Sequence, residues 1–204
     1  MLRLKSKFMI LFPCAVILTV LISCSGDYSP KPRGYFRIAL PEKKYTLLDS
    51  IYPYTFEYPV YARIHPDEMS PKEIYWINID YPQFKGTIHI SYRTIENNLQ
   101  QLTEDSRSLV LKHIPKSSGI FQKEIRDKEN NVYGVCYEIS GVGAASPYQF
   151  YLTDSTRNFL RGALYFTTVP NNDSLSPVID FVKQDIAHLI STFRWKNRAS
   201  SGVK

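Results

Sequence analysis

Alternation of apolar and polar residues with a period of two dominates the middle of the chain. Within Thr87–Tyr92, the apolar residues Ile88 and Ile90 alternate with the polar residues His89 and Ser91, which is the pattern of a half-buried strand. The chain also contains 15 tyrosines and 11 phenylalanines, and aromatic residues are enriched in strands. The same reading predicts eight strands, at Tyr35–Leu40, Tyr54–Val60, Ile74–Tyr81, Thr87–Tyr92, Ile120–Arg126, Asn131–Ile139, Tyr148–Thr153 and Phe159–Thr168.

Two segments change to helical spacing. Apolar residues recur every three or four positions between Ile95 and His113, and Thr94 is placed to cap this helix. The second helix is expected to start at Ser176 as N-cap, with Pro177 at its first position. Its apolar stripe consists of Val178, Ile179, Val182, Ile186, Leu189, Ile190 and Phe193. Both helices are amphipathic, so we expect them to pack on the sheet.

Strands that follow one another in hairpins, with only two helices between them, predict an α+β domain. The turn-prone residues Asp127–Asn130 join two of the strands into a hairpin. We expect a mainly antiparallel sheet of about seven to eight strands with two packed amphipathic helices. This order of elements is similar to the PsbP/Mog1-like sandwich, an analogy of fold that implies no activity.

The amino terminus has the three parts of an export signal. A basic stub precedes the apolar run Phe8–Ile22, whose 15 residues are fewer than the roughly 20 that a membrane-spanning helix needs. The segment Leu21–Cys24 resembles the bacterial lipobox, in which a small residue precedes a cysteine that is acylated before cleavage. We predict that residues 1–23 are removed and that Cys24 is the lipid attachment site. The alternative is an ordinary secretory signal with a chance cysteine.

The other two cysteines are predicted to have no chemical role. Cys14 leaves with the signal, so Cys136 is the only free thiol of the mature chain and no internal disulfide can form. Period-2 alternation places Cys136 on the strand face opposite Val135 and Tyr137. The sequence offers no signature of a base that would activate the thiol, and we interpret Cys136 as packed and inert.

The mature chain begins with a short tether. Ser25–Pro32 is polar and turn-rich, and its eight residues span less than roughly 30 Å, so the domain stays close to its membrane. Three of the 25 basic residues leave with the signal, which leaves 22 against 19 acidic ones; this excess is too weak to suggest a nucleic-acid partner. We expect residues 24–33 to be the lipidated tether, 34–196 a single domain and 197–204 a disordered tail.

No motif of known catalytic chemistry is present in the sequence. The Walker loop, the dinucleotide fingerprint and Gly-x-Ser-x-Gly are absent. None of His65, His89, His113 and His188 has a His or Cys partner at ligand spacing, so we predict no metal site and no cofactor. The adjacent acids Asp67–Glu68 say nothing about the separation that glycan hydrolysis requires.

One polar segment is a candidate for binding a partner. Asp154, Arg157 and Arg161 lie in or just after a turn, and arginines there could bind an anionic ligand or a carboxylate of a partner. The alternative is a hairpin turn in which Asp154 accepts hydrogen bonds from its own backbone and the arginines face solvent.

Several long segments resemble the gliding-motility lipoprotein GldD family of Bacteroidota. They are Lys31–Ile38, Pro53–Pro59, Trp76–Ile79 with Tyr81–Pro82, Thr153–Ser155 followed by Phe159–Phe166, and Trp195–Lys196. The likeness extends from the lipobox to about Lys196. Ala39 departs from a position that is usually acidic in the family, and the tail after Lys196 is peculiar to this chain.

The resemblance implies an accessory, non-enzymatic lipoprotein that gliding and the type IX secretion machinery require, working beside other gliding-motility lipoproteins. It offers no catalytic residue, and only Cys24 is carried over, as the acylation site. Ser25 follows Cys24, which by analogy with lipoprotein sorting favours the outer membrane, facing the periplasm. The alternative function is a cell-wall enzyme or glycan-binding module that faces peptidoglycan.

Overall fold

A seven-stranded antiparallel sheet forms the centre of the structure, a computed structural model that describes residues 38–167 and 172–196. The strands of the described part are β1 (Tyr45–Leu47), β2 (Tyr54–Thr55), β3 (Glu57–Pro59), β4 (Arg63–Pro66), β5 (Ile77–Tyr81), β6 (Gly86–Thr94), β7 (Gly119–Asp127), β8 (Val132–Ser140), β9 (Tyr148–Thr153), β10 (Asn158–Phe166) and β11 (Arg194–Trp195). The helices are α1 (Leu99–Leu111) and α2 (Asn172–Thr192), with 3₁₀ turns at Pro82–Phe84 and Ile114–Lys116.

The order of strands in the main sheet is β4-β5-β6-β10-β9-β8-β7, and each neighbouring pair is antiparallel. Two small sheets pair β1 with β3 and β11 with β2. Because strand residues alternate between faces, the main sheet presents one apolar face and one mixed face.

Helix α2 covers the apolar face and forms the main core with it. Val182 and Ile186 of α2 are fully buried, as are Ile79 and Ile88 of the sheet. Burial of side chains of this size stabilises the fold by about 1.5–3 kcal/mol each. Around the end of α2, stacked rings of Tyr54, Phe56 and Phe193 extend the core to the amino-terminal strands.

Helix α1 covers part of the opposite face with a much smaller core. Val110 of α1 packs with Tyr137 and Ile139 of β8 and with Ala144. The polar residues predicted for this face of β6 lie beside that helix. The sheet therefore has a helix on each face, and the α2 side holds the main apolar core.

The α+β class, the mainly antiparallel sheet and the two packed amphipathic helices are confirmed. The β7–β8 hairpin is also confirmed, and its turn is closed by Asp127, which accepts bonds from the backbone N–H (3.1 Å) and the side chain (2.6 Å) of Asn130. The predicted strand Tyr54–Val60 is two short strands. Ile38–Leu40 is not a strand, and one of the two edge strands of the main sheet is β4, which the sequence did not predict.

Both predicted helix starts are wrong. Thr94 is the last residue of β6, and α1 begins five residues later, at Leu99. Helix α2 begins at Asn172 and contains Pro177 in its interior. A tertiary contact explains the early start, since the Asn172 amide donates to the carbonyls of Gly141 (2.8 Å) and Ala144 (3.1 Å).

Of the predicted segments, 1–23, 24–33 and 197–204 lie outside the described residues, and so does residue 34 where the domain was expected to begin. Within the described ranges, no helix combines the length and apolar character that crossing a membrane requires.

Candidate functional site

The turn between β9 and β10 uses its acidic residue for its own backbone. The Asp154 carboxylate accepts the backbone N–H groups of Thr156 (2.9 Å), Arg157 (2.8 Å) and Asn158 (2.9 Å). Burial opposes ionisation of Asp154, but these bonds outweigh it and hold the pKa of the carboxyl below its usual value. For Asp154, the structure agrees with the alternative interpretation, a hairpin turn in which this residue accepts hydrogen bonds from the turn's own backbone.

Arg161 makes no contact with the hydrogen-bonded residues of that turn among the described hydrogen bonds. Arg157 is exposed at the turn, whereas Arg161 is half-buried on the mixed face of β10 and donates from Nη2 to the Gln149 Oε1 (2.5 Å). The hydrogen bonds of Asp154 and Arg161 thus go to different partners, and the structure does not join the three predicted residues into one site.

Arg161 belongs instead to an open groove of about 420 Å³ between the mixed face and α1. Strands β5, β6 and β10 form its floor, α1 forms one wall, and residues 67–76 form the other. We call it the α1 groove, and its lining includes Trp76, Asn78, His89, Leu102, Phe159 and Arg161. A volume of this size lies within the range of ligand-binding clefts.

The polar floor of the groove is ordered by hydrogen bonds. The buried Asn78 bonds His89 Nδ1 through its Oδ1 (2.7 Å) and donates from Nδ2 to the Asp67 carboxylate (3.5 Å). Because the Asp67 carboxylate can only accept hydrogen bonds, Asn78 must turn its Nδ2 towards Asp67 and its Oδ1 towards His89. The proton of the neutral His89 ring is therefore on Nδ1. Partial desolvation lowers the pKa of His89, so the ring is neutral at pH 7.

A second series of hydrogen bonds orients Arg161. Gln149, only 1% exposed, accepts from Arg161 and places its Nε2 3.1 Å from the His113 Nε2. Burial, and then the charge of Arg161, lower the pKa of His113, so the neutral ring accepts this bond. Gln149 therefore fixes the guanidinium without neutralising its charge.

The remaining histidines bind acids elsewhere. His65 Nε2 lies 2.8 Å from Asp80 Oδ2, and His188 Nε2 lies 2.6 Å from Glu57 Oε2. The bond to Asp80 raises the pKa of His65. In the described ranges, no three His, Cys, Asp or Glu side chains come together as metal ligands do.

Cys136 is buried in the main core with Val132, on the predicted face. Burial raises the pKa of its thiol, which disfavours the reactive thiolate.

A buried carboxylate on α2 is the polar cluster that sequence reasoning missed. The side chain of Asp185 is fully buried and accepts bonds from Lys43 Nζ (2.6 Å), Tyr45 Oη (3.0 Å) and Tyr61 Oη (2.8 Å). Burial, together with the bond to Asp185, raises the pKa of Tyr45 to about 12. The signal was present in the sequence, because an acid at 185 interrupts the apolar stripe of α2 one turn from Val182.

The lining of the α1 groove was likewise only partly visible in the sequence. The polar face of β6 was recognised, but its proximity to Arg161 and Trp76 was not. Cys24 lies outside the described residues, so its acylation stays a prediction.

Comparisons with known proteins give a family match and a structural likeness, each over most of the chain. The family model described as gliding motility lipoprotein GldD matches residues 25–195. Among solved structures, the chain is similar to the solution structure of cyanobacterial PsbP (CyanoP) from Synechocystis sp. PCC 6803, with 11% sequence identity, a TM-score of 0.43, and coverage of 82% of this chain and 99% of that chain. No curated protein matches the chain. The family match includes every strand and both helices described above, and this chain therefore belongs to the gliding motility lipoprotein GldD family.

Proposed function

We propose that this protein is a membrane-anchored, non-enzymatic accessory component of the gliding-motility and type IX secretion machinery, which holds a partner protein at its mixed sheet face. The observation that carries the role in gliding is the family match over residues 25–195. The α1 groove supports a binding role, because its side chains form a fixed recognition surface.

Attachment to the membrane follows from the lipobox. An acylated Cys24 becomes the first residue, and three acyl chains exceed the two that stable anchoring requires. The eight residues Ser25–Pro32 then keep the domain within roughly 30 Å of the bilayer. We place it at the outer membrane, facing the periplasm, because Ser25 follows the cysteine.

The groove has the composition of a protein interface. Trp and Arg dominate the binding energy of many interfaces, and here Trp76, Arg93 and Arg161 line one cleft. Trp76 is held in place by a bond from its indole Nε1 to the Tyr92 carbonyl (2.8 Å), and the Arg93 guanidinium lies 4.9 Å from its ring centroid. A preordered surface of this kind loses little side-chain entropy when a partner binds.

The partners we propose are the other gliding-motility lipoproteins and components of the secretion machinery. The turn residues Asp154 and Arg157 adjoin the strand that carries Arg161, and we keep them as peripheral contacts. Their contribution is smaller than that of Arg161, since Asp154 is committed to its own backbone.

Deletion and point variants in a gliding strain test this function. Deleting the chain should stop both gliding and secretion. Arg161→Glu should weaken crosslinking to the partner in native membranes, because it reverses a charge in the groove. Arg126→Glu, at an exposed position of β7, is the matched control and should leave crosslinking unchanged.

Single changes at His65, His188 or Glu68 should leave motility largely intact when the protein accumulates. If one of them abolishes motility while folding, abundance and partner crosslinking stay normal, a catalytic role replaces the proposed one.

A peptidoglycan-facing role is the second candidate. It is favoured by the two carboxylates, Asp67 and Asp105, on opposite walls of the α1 groove, since paired acids are the catalytic groups of glycan hydrolysis. Release of muropeptides by the purified protein, or its pelleting with sacculi, would favour this candidate over a protein partner.

A further inference from the structure

We propose that the α1 groove is a carboxylate-binding site in which Arg161 receives an acidic side chain of the partner protein. This deepens the proposed function and rests on it, because it names the chemical group through which the partner is held.

Arg161 carries a charge that its hydrogen-bond partners do not balance. Burial lowers the pKa of its guanidinium, with the Tyr165 hydroxyl opposing this effect. Its hydrogen bonds go to Gln149 and Tyr165, which are both neutral. Among the described residues no carboxylate forms an ion pair with Arg161. A desolvated charge without a counter-ion is costly, and a bound anion would offset that cost.

The other charged residues of the groove already have partners. Arg93 Nη1 donates to the Glu73 carboxylate (2.9 Å). Asp105 accepts from the Gln101 amide (2.7 Å), and Asp67 accepts the backbone N–H of Met69 (3.2 Å). Of the two arginines that line the groove, Arg93 is thus ion-paired, and Arg161 is the one without an ion pair among the described residues.

The charge balance favours a carboxylate over a phosphate. The groove contains two arginines and two aspartates, and its histidine is neutral because partial desolvation lowers the pKa of His89. A single negative charge matches one unpaired guanidinium, whereas the second charge of a dianion would have no unpaired cation among the described lining residues to balance it beside Asp67 and Asp105. The planar fork of arginine also fits the two oxygens of a carboxylate.

The surroundings of Arg161 fit a side chain that carries its carboxylate on an aliphatic stem. The small residue Ser91 lies directly opposite Arg161 in the β6–β10 ladder, whereas Tyr151 lies opposite it in the β9–β10 ladder. Leu102 and Leu109 of α1 supply an apolar wall. About 420 Å³ accommodates a few residues of an extended segment, which favours a protein as the source of the carboxylate.

The test uses three short peptides and the mature lipoprotein in detergent micelles. The first is N-acetyl-Leu-Glu-Leu-amide, the second its matched Leu-Gln-Leu-amide, and the third N-acetyl-Leu-Gln-Leu with a free terminal carboxyl. Binding is followed by NMR through the indole N–H signal of Trp76 and the Nε–H signal of Arg161. The chain has two tryptophans, so the Trp195 signal serves as an internal control.

We expect the Glu peptide to shift the signals of Trp76 and Arg161, and the Gln amide to bind at least about tenfold more weakly, as loss of a charge-assisted bond implies. Arg161→Met should remove the difference between the two peptides. Arg126→Met, the matched control on β7, should bind like the wild type.

Equal binding of the Glu and Gln amides, or unchanged binding of the Glu peptide to Arg161→Met, would overturn the proposal. Binding of the free-carboxyl peptide alone would overturn the acidic side chain as occupant and assign the site to a chain terminus or small acid. If Arg161→Met does not fold, Leu109→Glu takes its place. Leu109 is 37% exposed, and a negative charge there should weaken binding of the Glu peptide about fivefold more than binding of the Gln amide.

The peptide-binding experiment does not measure motility, so a negative result would leave the proposed role in gliding intact. Conversely, normal gliding and partner crosslinking in an Arg161→Met strain that has lost peptide binding would separate this site from the proposed function.

Discussion

Asp185 shows how one buried side chain can hold two distant segments together. Its carboxylate accepts three hydroxyl or ammonium donors from residues 43–61, which lie more than 120 positions away in the chain. The ammonium of Lys43 also lies 3.3 Å from the Phe181 ring centroid and donates to the Phe181 carbonyl (2.7 Å). These bonds satisfy a charge that would otherwise be expensive to bury.

We predict that Asp185→Asn destabilises the protein by about 3 kcal/mol, the low end for breaking a buried ion pair, because Lys43 is still 26% exposed. The measurement is the free energy of unfolding in urea. Asp180→Asn is the control, since Asp180 lies on the same helix, is 61% exposed and is 3.5 Å from Lys183; its cost should stay within about 0.5 kcal/mol. Equal costs for the two variants would contradict a structural role for the Asp185 cluster.

The hydrogen-bond partners of some side chains can be predicted from the sequence, and those of others cannot. The bonds of Asp154 join residues two to four positions apart, and turn propensity alone favours them. Arg161 depends on Gln149, which reaches it from the next strand. Its strand position was predictable, but its place under α1 was not, because that required knowing which helix covers that face.

Among the elements, β8 and β9 are joined at an unusually close approach. A Cβ on Gly134 would lie 1.9 Å from the carbonyl oxygen of Tyr151 in β9. Glycine is thus required here by space, and the strand that carries Gln149 depends on it. Gly119, at the start of β7, has nothing within 4 Å of the same added atom.

Gly134→Ala should therefore force β8 and β9 apart and destabilise the protein by about 3 kcal/mol, since backbone must move to relieve the overlap. Gly119→Ala should change the free energy of unfolding by no more than about 0.5 kcal/mol. Thermal unfolding of both variants checks the pair, and hydrogen exchange should localise the Gly134→Ala effect to the two strands. A Gly134→Ala protein as stable as Gly119→Ala would contradict this close approach.

For the molecule as a whole, one sheet face forms the main core, and the other carries the groove that we propose as the binding site. The face under α2 forms the main apolar core. The face beside α1 carries polar side chains that hydrogen-bond to one another, and an open groove. The proposed acyl anchor at Cys24 adds a constraint of position, because a short tether would keep the domain near its membrane.

Cys24→Ala should abolish labelling by a fatty-acid analogue and leave an uncleaved precursor, because the thiol is the acyl acceptor and cleavage follows acylation. Metabolic labelling with immunoblotting measures both effects. Cys136→Ala, which changes a buried core thiol, is the control and should label normally. Persistent labelling of the Cys24→Ala protein would show that the lipid is attached at another residue.

The amino-acid sequence alone was sufficient for the α+β class, the β7–β8 hairpin, the inward face of Cys136 and the family, because these depend on periodicity, turn residues and contiguous strings. The starts of both helices, the edge strand β4, the Asp185 cluster and the α1 groove required the folded chain. The physical reason is range: Asn172 is held by the loop after β8, and Asp185 by residues of the amino-terminal segment. Such contacts join segments far apart in the chain, and no local pattern specifies which segments will meet.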